Sequence, residues 1–406
     1  MRVLFTVQPS TGHLHPLVPV ARALASAGHE LAVCSSPSFR ADVESFGLTH
    51  VDAGLDWLAS DQATWTAFPP MPPPGPAFAA FVVTVFADIT ARRMAPDLLR
   101  IAHDWKPDLI VRESMEYGGC LAAERLGVPH ASVAGNGYSA IDSPDVNYFP
   151  GNRRLVAEAM RRHRDELGLP ADADNLMPFR RLHLCFMPPS WDGADASRPP
   201  NTRFVRHENA IKPGASFPSW LAELPERPTV LASLGTVFNT TPGVLEAIIE
   251  GIADLPVTLI VAIGPNEDAS RFGSVPANVR LEPYVPQPEL LRRCDLFITH
   301  GGFNSVKESL IAGVPMVVIP ITADQPYCAQ RCAALGVGRV VAPDQRNAEA
   351  VRAAAQAVLG NASFRTRAEA FAAEMRELPG PETVVALLHG LVTEGNHSAR
   401  SAIATA

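Results

Sequence analysis

Histidine side chains occur at two points of the sequence where a strand pattern gives way to a helix pattern. Gly12-His-Leu-His-Pro16 follows the apolar run Val3–Val7, and His300-Gly-Gly-Phe-Asn-Ser305 follows the apolar run Leu296–Thr299. Histidine is the side chain best suited to move a proton near neutral pH. Open α/β sheets bind ligands beyond the carboxyl ends of their strands. The spacing therefore predicts two ligand-binding turns, the first of which carries a histidine that can act as a base.

The turn at His300 has the composition of an anion-binding site. The two glycines after His300 let the backbone come close to a ligand. A helix predicted over Val306–Ala312 would present unpaired N–H groups and the positive end of its dipole to a phosphate. The alternative is a plain capping box, in which Ser305 and Glu308 satisfy each other's backbone donors. Capping explains those two residues but leaves the histidine and the glycines unexplained.

The elements that must position these turns alternate between strands and helices in both halves of the chain. Continuous apolar runs predict strands that are buried on both faces of a parallel sheet, at Val3–Val7, Leu31–Ser35, Asp108–Val111, His130–Val133, Thr229–Ser233, Thr258–Ile263, Leu296–Thr299 and Met316–Pro320. Between the first two strands lies a polar turn over Gln8–His15, and helix patterns run from Pro16 to Gly28 and over Gly118–Gly127. The prediction is an α/β protein with two facing, doubly wound Rossmann-like domains.

With 406 residues the chain is long enough for two domains. We predict an N-terminal domain over 1–208, a polar linker over 209–220 and a C-terminal domain over 221–378. A C-terminal helix and tail over 379–406 can return to the N-terminal domain, and the residues from about Gly395 are expected to fray. Loops are predicted at Pro69–Pro76, where proline prevents regular structure, and at Tyr138–Pro150 and Met187–Pro200.

Composition narrows the class of protein. A net charge of −8 and a pI near 5.8 give no basic footprint, which predicts that nucleic acid is not a partner. The N-terminal apolar run is too short for a secretory signal, and the longest apolar stretch, Ala77–Ala91, is too short to span a membrane. We therefore expect a cytoplasmic monomer or homodimer without a stable membrane anchor. Six scattered cysteines predict buried, reduced side chains, and the pair Cys328 and Cys332 lacks the further ligands of a zinc site.

The stretch from Tyr284 to Gln325 resembles the donor motif of family 1 glycosyltransferases, which have the GT-B fold. The likeness runs through Tyr284-Val-Pro-Gln287, the His300 turn with Glu308, Gly313-Val-Pro315 and Pro320-Ile-Thr-Ala-Asp-Gln325. The resemblance implies a nucleotide-sugar site, with dTDP-deoxysugars favoured over UDP-sugars, and no cofactor besides these substrates. The donor-binding residues that it implies are Ser233, Thr236, Tyr284, Gln287, His300, Gly302, Asn304, Ser305, Glu308, Asp324 and Gln325.

The resemblance also gives each of these residues a role. Tyr284 corresponds to the aromatic that packs on the nucleobase, Gln287 lies near base and ribose, and Glu308 holds ribose hydroxyls. His300, Gly302, Asn304 and Ser305 correspond to the diphosphate contacts, and Asp324 with Gln325 to the pair that recognises the sugar. Ser233 to Thr236 resembles a loop on the phosphate side, for which a simple turn at the end of a strand is the alternative.

The Gly12–Pro16 segment resembles the GHxxP pattern of the same family, in which the residue matching His13 is the general base of an inverting transfer. His15 is the competing histidine. A carboxylate usually orients such a base, and the resemblance points to Glu113, where the family more often has aspartate. Glu116 is the alternative partner, and a surface salt bridge is the alternative role for Glu113. Asp172-Ala-Asp174 resembles a metal-binding DxD motif, but in its polar loop we interpret both residues as solvated charges and predict no metal site.

The acceptor side is the least defined by the sequence. Met115 and Tyr117 follow Glu113, and with Phe81 they are the residues predicted to contact a hydrophobic acceptor such as a polyketide or a macrolide. The other aromatic side chains near predicted loops are Trp57, Trp65, Phe68, Phe78, Phe86 and Tyr138. Two other functions stay open: a GT-B-fold nucleotide-sugar epimerase, and a non-catalytic protein that binds a nucleotide sugar and supports another transferase.

Overall fold

The computed structural model describes residues 1–73, 76–135, 152–193, 196, 198–214, 217–237, 241–264 and 267–404. The chain divides into two compact units, Met1–Pro213 with Leu378–Ala406, and Gly214–Glu377. The division at Pro213 falls inside the segment 209–220 for which the sequence predicts a linker.

The first unit is built on a parallel sheet. Its strands are β1 (Arg2–Thr6), β2 (Glu30–Ser35), β3 (His50–Asp52), β4 (Leu109–Glu113), β5 (His130–Val133), β6 (His183–Cys185) and β7 (Thr202–Phe204). Within the described residues they form seven parallel strands in the order β3-β2-β1-β4-β5-β6-β7. Its first helices are α1 (Thr11–Leu14), α2 (Leu17–Ser26), α3 (Arg40–Glu44), α4 (Pro76–Val83), α5 (Ala91–Trp105), α6 (Gly118–Leu126) and α7 (Asn152–Glu166). A π-helical segment, Thr84–Thr90, joins α4 to α5.

The second unit repeats this architecture. Its strands are β8 (Thr229–Ser233), β9 (Thr258–Ala262), β10 (Val279–Glu282), β11 (Leu296–Thr299), β12 (Met316–Val318) and β13 (Gly338–Val340). Where the chain is described they form a six-stranded parallel sheet in the order β10-β9-β8-β11-β12-β13. Its helices are α8 (Val244–Ile252), α9 (Gln287–Leu291), α10 (Phe303–Ile311), α11 (Gln325–Leu335), α12 (Ala348–Leu359) and α13 (Ala362–Glu377).

The last helix, α14 (Pro381–Ala404), belongs to the first unit. Its buried Val384 and Leu388 join the same hydrophobic cluster as Leu17 and Leu24 of α2. The helix is described as far as Ala404, past Gly395, and fraying of the last residues stays a prediction. Short 3-10 turns complete the chain at Pro37–Phe39, Gln62–Thr64, Met177–Phe179, Pro189–Trp191, Ser219–Glu223, Ala269–Phe272 and Pro343–Gln345.

Hydrophobic burial explains why the central strands form. Val3, Leu4 and Phe5 of β1 are fully buried, and so is the central part of β8. Both strands are therefore covered on their two faces, as expected of central strands in a parallel α/β sheet. The prediction of two doubly wound α/β domains is confirmed. In each sheet the strand order reverses beside the first strand, at β1 and β4 and at β8 and β11, and such reversal points are where this class of fold binds ligands.

Two local predictions differ from the structure, and a third is not tested by it. The turn predicted over Gln8–His15 contains the short helix α1. The Pro69–Pro76 stretch reaches the start of α4 at Pro76, and residues 74–75 are outside the described chain. The loop predicted at Tyr138–Pro150 also lies outside the described residues.

Candidate active site

The reversal point of the first sheet brings His13 and Glu113 together. β1 and β4 are paired in parallel, with Thr6 opposite Arg112. His13 lies in α1 just beyond β1, and Glu113 is the last residue of β4. His13 Nδ1 lies 3.0 Å from Glu113 Oε2, which is ion-pair distance, and the side chains are 20% and 0% exposed. Glu113 is thus buried against a histidine, and its alternative role in a surface salt bridge is wrong.

A buried arginine holds the segment that carries Glu113. The Arg112 guanidinium donates to the carbonyl oxygens of Glu113, Ser114 and Glu116, at 3.2, 3.1 and 3.0 Å, and to that of Pro178. The Glu113 carboxylate accepts a hydrogen bond from the backbone N–H two residues later, at 2.8 Å. The loop after β4 is therefore fixed by interactions with its own backbone. The sequence pattern does not indicate this role for Arg112, because charged side chains are usually exposed.

The two competing residues have other partners. The Glu116 carboxylate accepts hydrogen bonds from the hydroxyl of Thr6, at 2.5 Å, and from the backbone N–H groups of Gly118 and Gly119, at 2.6 and 2.8 Å. Burial raises the pKa of Glu116. His15 packs edge-on against Phe46, with ring centres 5.4 Å apart. Glu116 therefore caps the start of α6. Among the candidate pairs, the one at ion-pair distance is His13 with Glu113.

Aromatic side chains form a continuous cluster that reaches His13. The half-buried Phe86, in the π-helical segment, lies 5.8 Å from the His13 ring and 6.1 Å from the buried Trp57, measured between ring centres. Trp57 in turn packs edge-on against Trp65, at 6.0 Å, and Phe68, at 4.9 Å. π-helical segments often occur at functional sites. The sequence indicated these aromatics individually but not their connection to His13.

The three residues predicted to contact an acceptor occupy different surroundings. Phe81 stacks on Trp65, with ring centres 6.3 Å apart, and so joins the aromatic cluster. Met115 is buried, and its backbone carbonyl accepts a hydrogen bond from Gln8. Tyr117 is buried in a hydrophobic cluster with the Arg112 guanidinium 5.8 Å over its ring. These surroundings favour a packing role for Tyr117, while its contact with an acceptor stays a prediction.

The reversal point of the second sheet is built around His300. β8 and β11 are paired in parallel with Ser233 opposite Thr299, and His300 follows directly. Its ring lies between two glycines: a Cβ atom added to Gly302 would lie 2.5 Å from His300 Nε2, and one added to Gly235 would lie 2.7 Å from Cε1. Burial lowers the pKa of His300 to about 4, and a hydrogen bond to the Ser233 backbone offsets part of this lowering. His300 is therefore a neutral imidazole near pH 7.

Helix α10 begins three residues earlier than the sequence predicts. Gly302 is its N-cap residue and makes no side-chain capping bond, so Ser305 lies inside the first turn. The capping-box interpretation of Ser305 and Glu308 is therefore wrong. Asn304, the second helical residue, accepts a hydrogen bond at 2.9 Å through its Oδ1 from Nζ of Lys307, which is fully buried. Nothing in the sequence pattern distinguishes Lys307 from an exposed helical lysine.

Three other predicted donor residues lie close together. Gln287, the first residue of α9, donates from Nε2 to Glu308 Oε2 at 2.7 Å. Burial raises the pKa of Glu308, while the Gln287 hydrogen bond and the Lys307 charge act in the opposite direction. The ring of Tyr284 is 72% exposed and its environment includes the charge of Glu308. An exposed aromatic face beside a hydrogen-bonding pair is a suitable platform for a nucleobase and a ribose.

The remaining donor predictions fall on the loops around His300. Asp324 is the N-cap residue of α11, and the residue before it, Ala323, has a φ of 58°, in the left-handed region. Gln325 Oε1 accepts hydrogen bonds from two backbone N–H groups of the preceding loop, at 2.7 and 2.9 Å. Its side-chain oxygen therefore shapes this loop. The Ser233 hydroxyl oxygen accepts a hydrogen bond from the backbone N–H of Gly235, at 3.3 Å, and Thr236 is exposed.

The two aspartates of the Asp172-Ala-Asp174 segment share one arginine as their ion-pair partner. Both carboxylates pair with Arg180, and Asp172 also accepts a hydrogen bond from the backbone N–H of Met177, at 2.9 Å. The interpretation of both residues as solvated is wrong for Asp172, whose side chain is 6% exposed. No group of three or more potential metal ligands occurs among the described residues.

Two further predictions concern the cysteines and membrane-spanning helices. All six cysteines are buried, as the sequence predicts, and none is assigned to a disulfide bond. Of the helices in the described parts of the chain, none combines the length and the hydropathy needed to cross a membrane.

Comparisons with known proteins match both units. The N-terminal and C-terminal domain models of the erythromycin biosynthesis protein CIII-like family match residues 79–235 and 246–391. The chain is 29% identical to 4'-demethylrebeccamycin synthase of Lentzea aerocolonigenes, over 96% of this chain and 99% of that protein. It is 28% identical to tylactone mycaminosyltransferase of Streptomyces fradiae, over 99% and 95%. The solved glycosyltransferase VinC in complex with dTDP superposes with a TM-score of 0.78 and 25% identity, over 97% of this chain and 100% of VinC.

Proposed function

The chain belongs to the erythromycin biosynthesis protein CIII-like family of glycosyltransferases, with the GT-B fold, and we propose that it is an inverting enzyme that acts on a hydrophobic natural product. The proposed donor is a dTDP-deoxysugar, with a UDP-sugar as the second candidate. The proposed acceptor is a hydroxyl group of a polyketide or a macrolide. The activities for which the relatives are named and the dTDP bound to VinC support this choice of substrates.

The observation that carries the proposal is the 3.0 Å distance between His13 Nδ1 and Oε2 of the fully buried Glu113. A neutral imidazole that carries its proton on Nδ1, the nitrogen 3.0 Å from the carboxylate, has Nε2 available to accept the proton of the acceptor hydroxyl. The hydroxyl oxygen then bonds to the anomeric carbon from the face opposite the diphosphate. The bond from that carbon to the diphosphate oxygen breaks, and the carboxylate stabilises the imidazolium that forms.

The leaving diphosphate needs positive potential that does not depend on a bound metal. The first turn of α10 offers backbone N–H groups and the positive end of the helix dipole. Asn304 and Ser305 lie in that turn, and His300 precedes it. These donors support the proposal that the transfer is metal-independent, with no further cofactor.

The aromatic cluster supports a flat, apolar acceptor. Phe86 contacts both His13 and Trp57, so an apolar surface begins directly beside the proposed base. Aromatic side chains bind ring systems through large apolar contact areas and specific stacking geometries. The hydroxyl that reacts would then be one at the edge of the ring system.

The proposal is tested by product analysis. Wild-type enzyme is incubated with panels of dTDP-sugars and UDP-sugars and with hydroxylated aromatic and macrolactone acceptors, and products are identified by mass spectrometry. We expect a glycosylated acceptor with at least one pair. The His13→Ala variant should lose about 10² to 10⁴ in transfer rate, since that is the usual contribution of a general base, while its affinity for dTDP stays unchanged.

His15→Gln is the matched control, because it changes the other histidine of the same turn. It should retain transfer activity. Full activity of His13→Ala would refute the role of His13. Donor hydrolysis without transfer across both panels would argue against a transferase, and an epimerised donor sugar would support the epimerase alternative.

A further inference from the structure

The π-helical segment Thr84–Thr90 is bound by side chains from two other parts of the first unit. It carries Phe86, whose ring centre lies 5.8 Å from that of His13. A π-helical turn departs from the usual hydrogen-bond pattern of a helix and is rare in proteins. Such irregularities have identifiable causes, among them a side chain that enters the ladder of backbone hydrogen bonds. The side chains that bind this segment therefore determine how Phe86 is presented to His13.

One anchor comes from the turn that also carries His13. The side-chain amide of Gln8 donates to the Thr90 hydroxyl, at 3.0 Å, and to the Met115 carbonyl, at 3.3 Å. The Thr90 hydroxyl donates in turn to the Phe86 carbonyl, at 3.0 Å. A hydroxyl group can accept one hydrogen bond while it donates another, so these bonds form a continuous chain. The backbone at Phe86 is thus linked to the turn after β1.

The other anchor is a buried histidine of α7. His163 is 2% exposed, and its Nε2 lies 3.1 Å from the Ala87 carbonyl oxygen and 3.3 Å from Asp88 Oδ1. A carbonyl oxygen can only accept, so the Nε2 of His163 carries the proton of this bond. Asp88 also accepts a hydrogen bond from Arg162 of the same helix, at 2.9 Å. The two residues that follow Phe86 are therefore both bound by α7.

Packing alone does not require a histidine at position 163. Ala87 lies in the same hydrophobic cluster as Ala159 and Met160 of α7, so apolar contacts already join the two elements. Burying an imidazole is costly unless its polar atoms are hydrogen-bonded, and a leucine would pack without that cost. Apolar contacts are non-directional, whereas a hydrogen bond to one carbonyl oxygen has a defined geometry. Fixing the register between α7 and the π-helical segment is what the histidine adds.

We propose that His163 is a positioning residue for the acceptor. From α7 it holds the π-helical segment in the register that places Phe86 beside His13. The inference rests on the proposed function, because it takes the aromatic cluster around Phe86 as the acceptor surface. It adds that acceptor binding depends on a side chain that acts through the backbone of Ala87.

The geometry of the aromatic cluster can be followed directly in the unliganded protein. Protein labelled with fluorotryptophan has five ¹⁹F signals, one from each tryptophan of the sequence. Trp57→Phe and Trp220→Phe assign two of them. His163→Phe keeps a flat ring but removes the hydrogen-bond donor, and it should shift the signal of Trp57, whose ring centre lies 6.1 Å from that of Phe86. The signal of Trp220, in the second unit, should not move.

Steady-state kinetics with the acceptor that the wild type glycosylates best provide the second test. In His163→Phe the KM for the acceptor should rise about fivefold to tenfold, which corresponds to the net contribution of one hydrogen bond. The kcat at saturating acceptor should stay within about threefold of the wild type, and the affinity for dTDP should not change. A loss of folded protein would have the opposite signature, a lower kcat with an unchanged KM.

Two further variants isolate the hydrogen bond. His163→Gln places an amide donor at nearly the same distance from the backbone as Nε2, so it should restore the acceptor KM to within about twofold of the wild type. It should also restore the Trp57 signal. Arg161→Gln is the matched control, because Arg161 is an exposed residue of the same helix, and it should behave as the wild type in both tests.

The outcomes separate the two proposals. If the wild type transfers sugar to none of the acceptors, the proposed function fails and this inference fails with it. If the wild type transfers sugar but His163→Phe keeps its acceptor KM within about twofold, the inference is wrong and the proposed function stands. An unmoved Trp57 signal in that variant, or a glutamine variant as impaired as the phenylalanine variant, would have the same meaning.

Discussion

Replacing Glu113 with glutamine should remove the charge that supports His13 while keeping the shape of the side chain. Glu113 Oε2 lies 3.0 Å from His13 Nδ1, and the side chains are 0% and 20% exposed. Unit charges about 4 Å apart interact by about 4 kcal/mol at an effective dielectric constant of about 20. Solvent screening at the partly exposed His13 reduces this toward about 3 kcal/mol. Since about 1.4 kcal/mol corresponds to a tenfold change in rate, kcat should fall roughly a hundredfold to a thousandfold.

The glutamine also changes the tautomer. An amide NH₂ directed at Nδ1 moves the ring proton to Nε2, which can then no longer accept the proton of the acceptor hydroxyl. The loss should therefore lie toward the upper end of that range. Glu113→Asp, which keeps the charge but is one methylene shorter, should fall between the glutamine variant and the wild type.

The assay is the steady-state rate of transfer at saturating donor and acceptor, with dTDP affinity measured by calorimetry as the control. That affinity should not change, because the donor residues lie in the other unit. A Glu113→Gln enzyme whose kcat stays within about threefold of the wild type would refute the reasoning, since such a change is too small for lost transition-state stabilisation of this kind.

Three further outcomes follow from buried groups. Gly302→Ala should weaken dTDP binding, measured by calorimetry, at least about tenfold, because its Cβ would lie 2.5 Å from His300 Nε2. The control is Gly390→Ala, whose Cβ meets nothing within 4 Å and which should not change the affinity for dTDP. Arg112→Met should lower the free energy of unfolding in urea by about 3 kcal/mol or more and also lower kcat, because four buried carbonyl groups lose their donor. Burial lowers the pKa of His130 to about 3 from its ordinary 6.5, so this residue's contribution to stability is complete above pH 6.5. The contribution then falls by about 1.4 kcal/mol per pH unit as the pH drops through that window, and His130→Leu should flatten this dependence in urea titrations between about pH 7 and pH 5.

The central strands could be predicted from the sequence because burial on both faces leaves a simple pattern. β5, β8 and β11 have the predicted bounds, β1 is shifted by one residue at each end, and β2 begins one residue earlier than predicted. The short strands β3, β6, β7, β10 and β13 were missed. They have three or four residues each, and several are partly exposed, so their apolar runs are too short to distinguish from loops.

The residues of the site could be predicted where they lie next to the end of a strand. They could not be predicted where a charged side chain, which is usually exposed, is buried. His13 and Glu113 could be proposed as a pair from their positions, but only the pairing of β1 with β4 decides between Glu113 and its alternatives. Arg112 and Lys307 carry charges that a sequence pattern assigns to the surface. Their burial depends on contacts made by the whole domain, which a local window does not contain. The catalytic and binding roles of these residues stay predictions.

One glycine of the His300 turn, Gly302, has a different physical explanation from the one that the sequence suggests. From sequence, Gly302 is needed so that the backbone can approach a phosphate. In the structure its φ is −59°, which any residue can adopt, so backbone conformation does not require glycine there. The constraint is the His300 ring, which occupies the space of a Cβ at Gly302 and at Gly235. The two glycines therefore fix the orientation of a neutral imidazole between two loops. A phosphate bound at the start of α10 meets a histidine that is already in place, which lowers the entropy lost on binding.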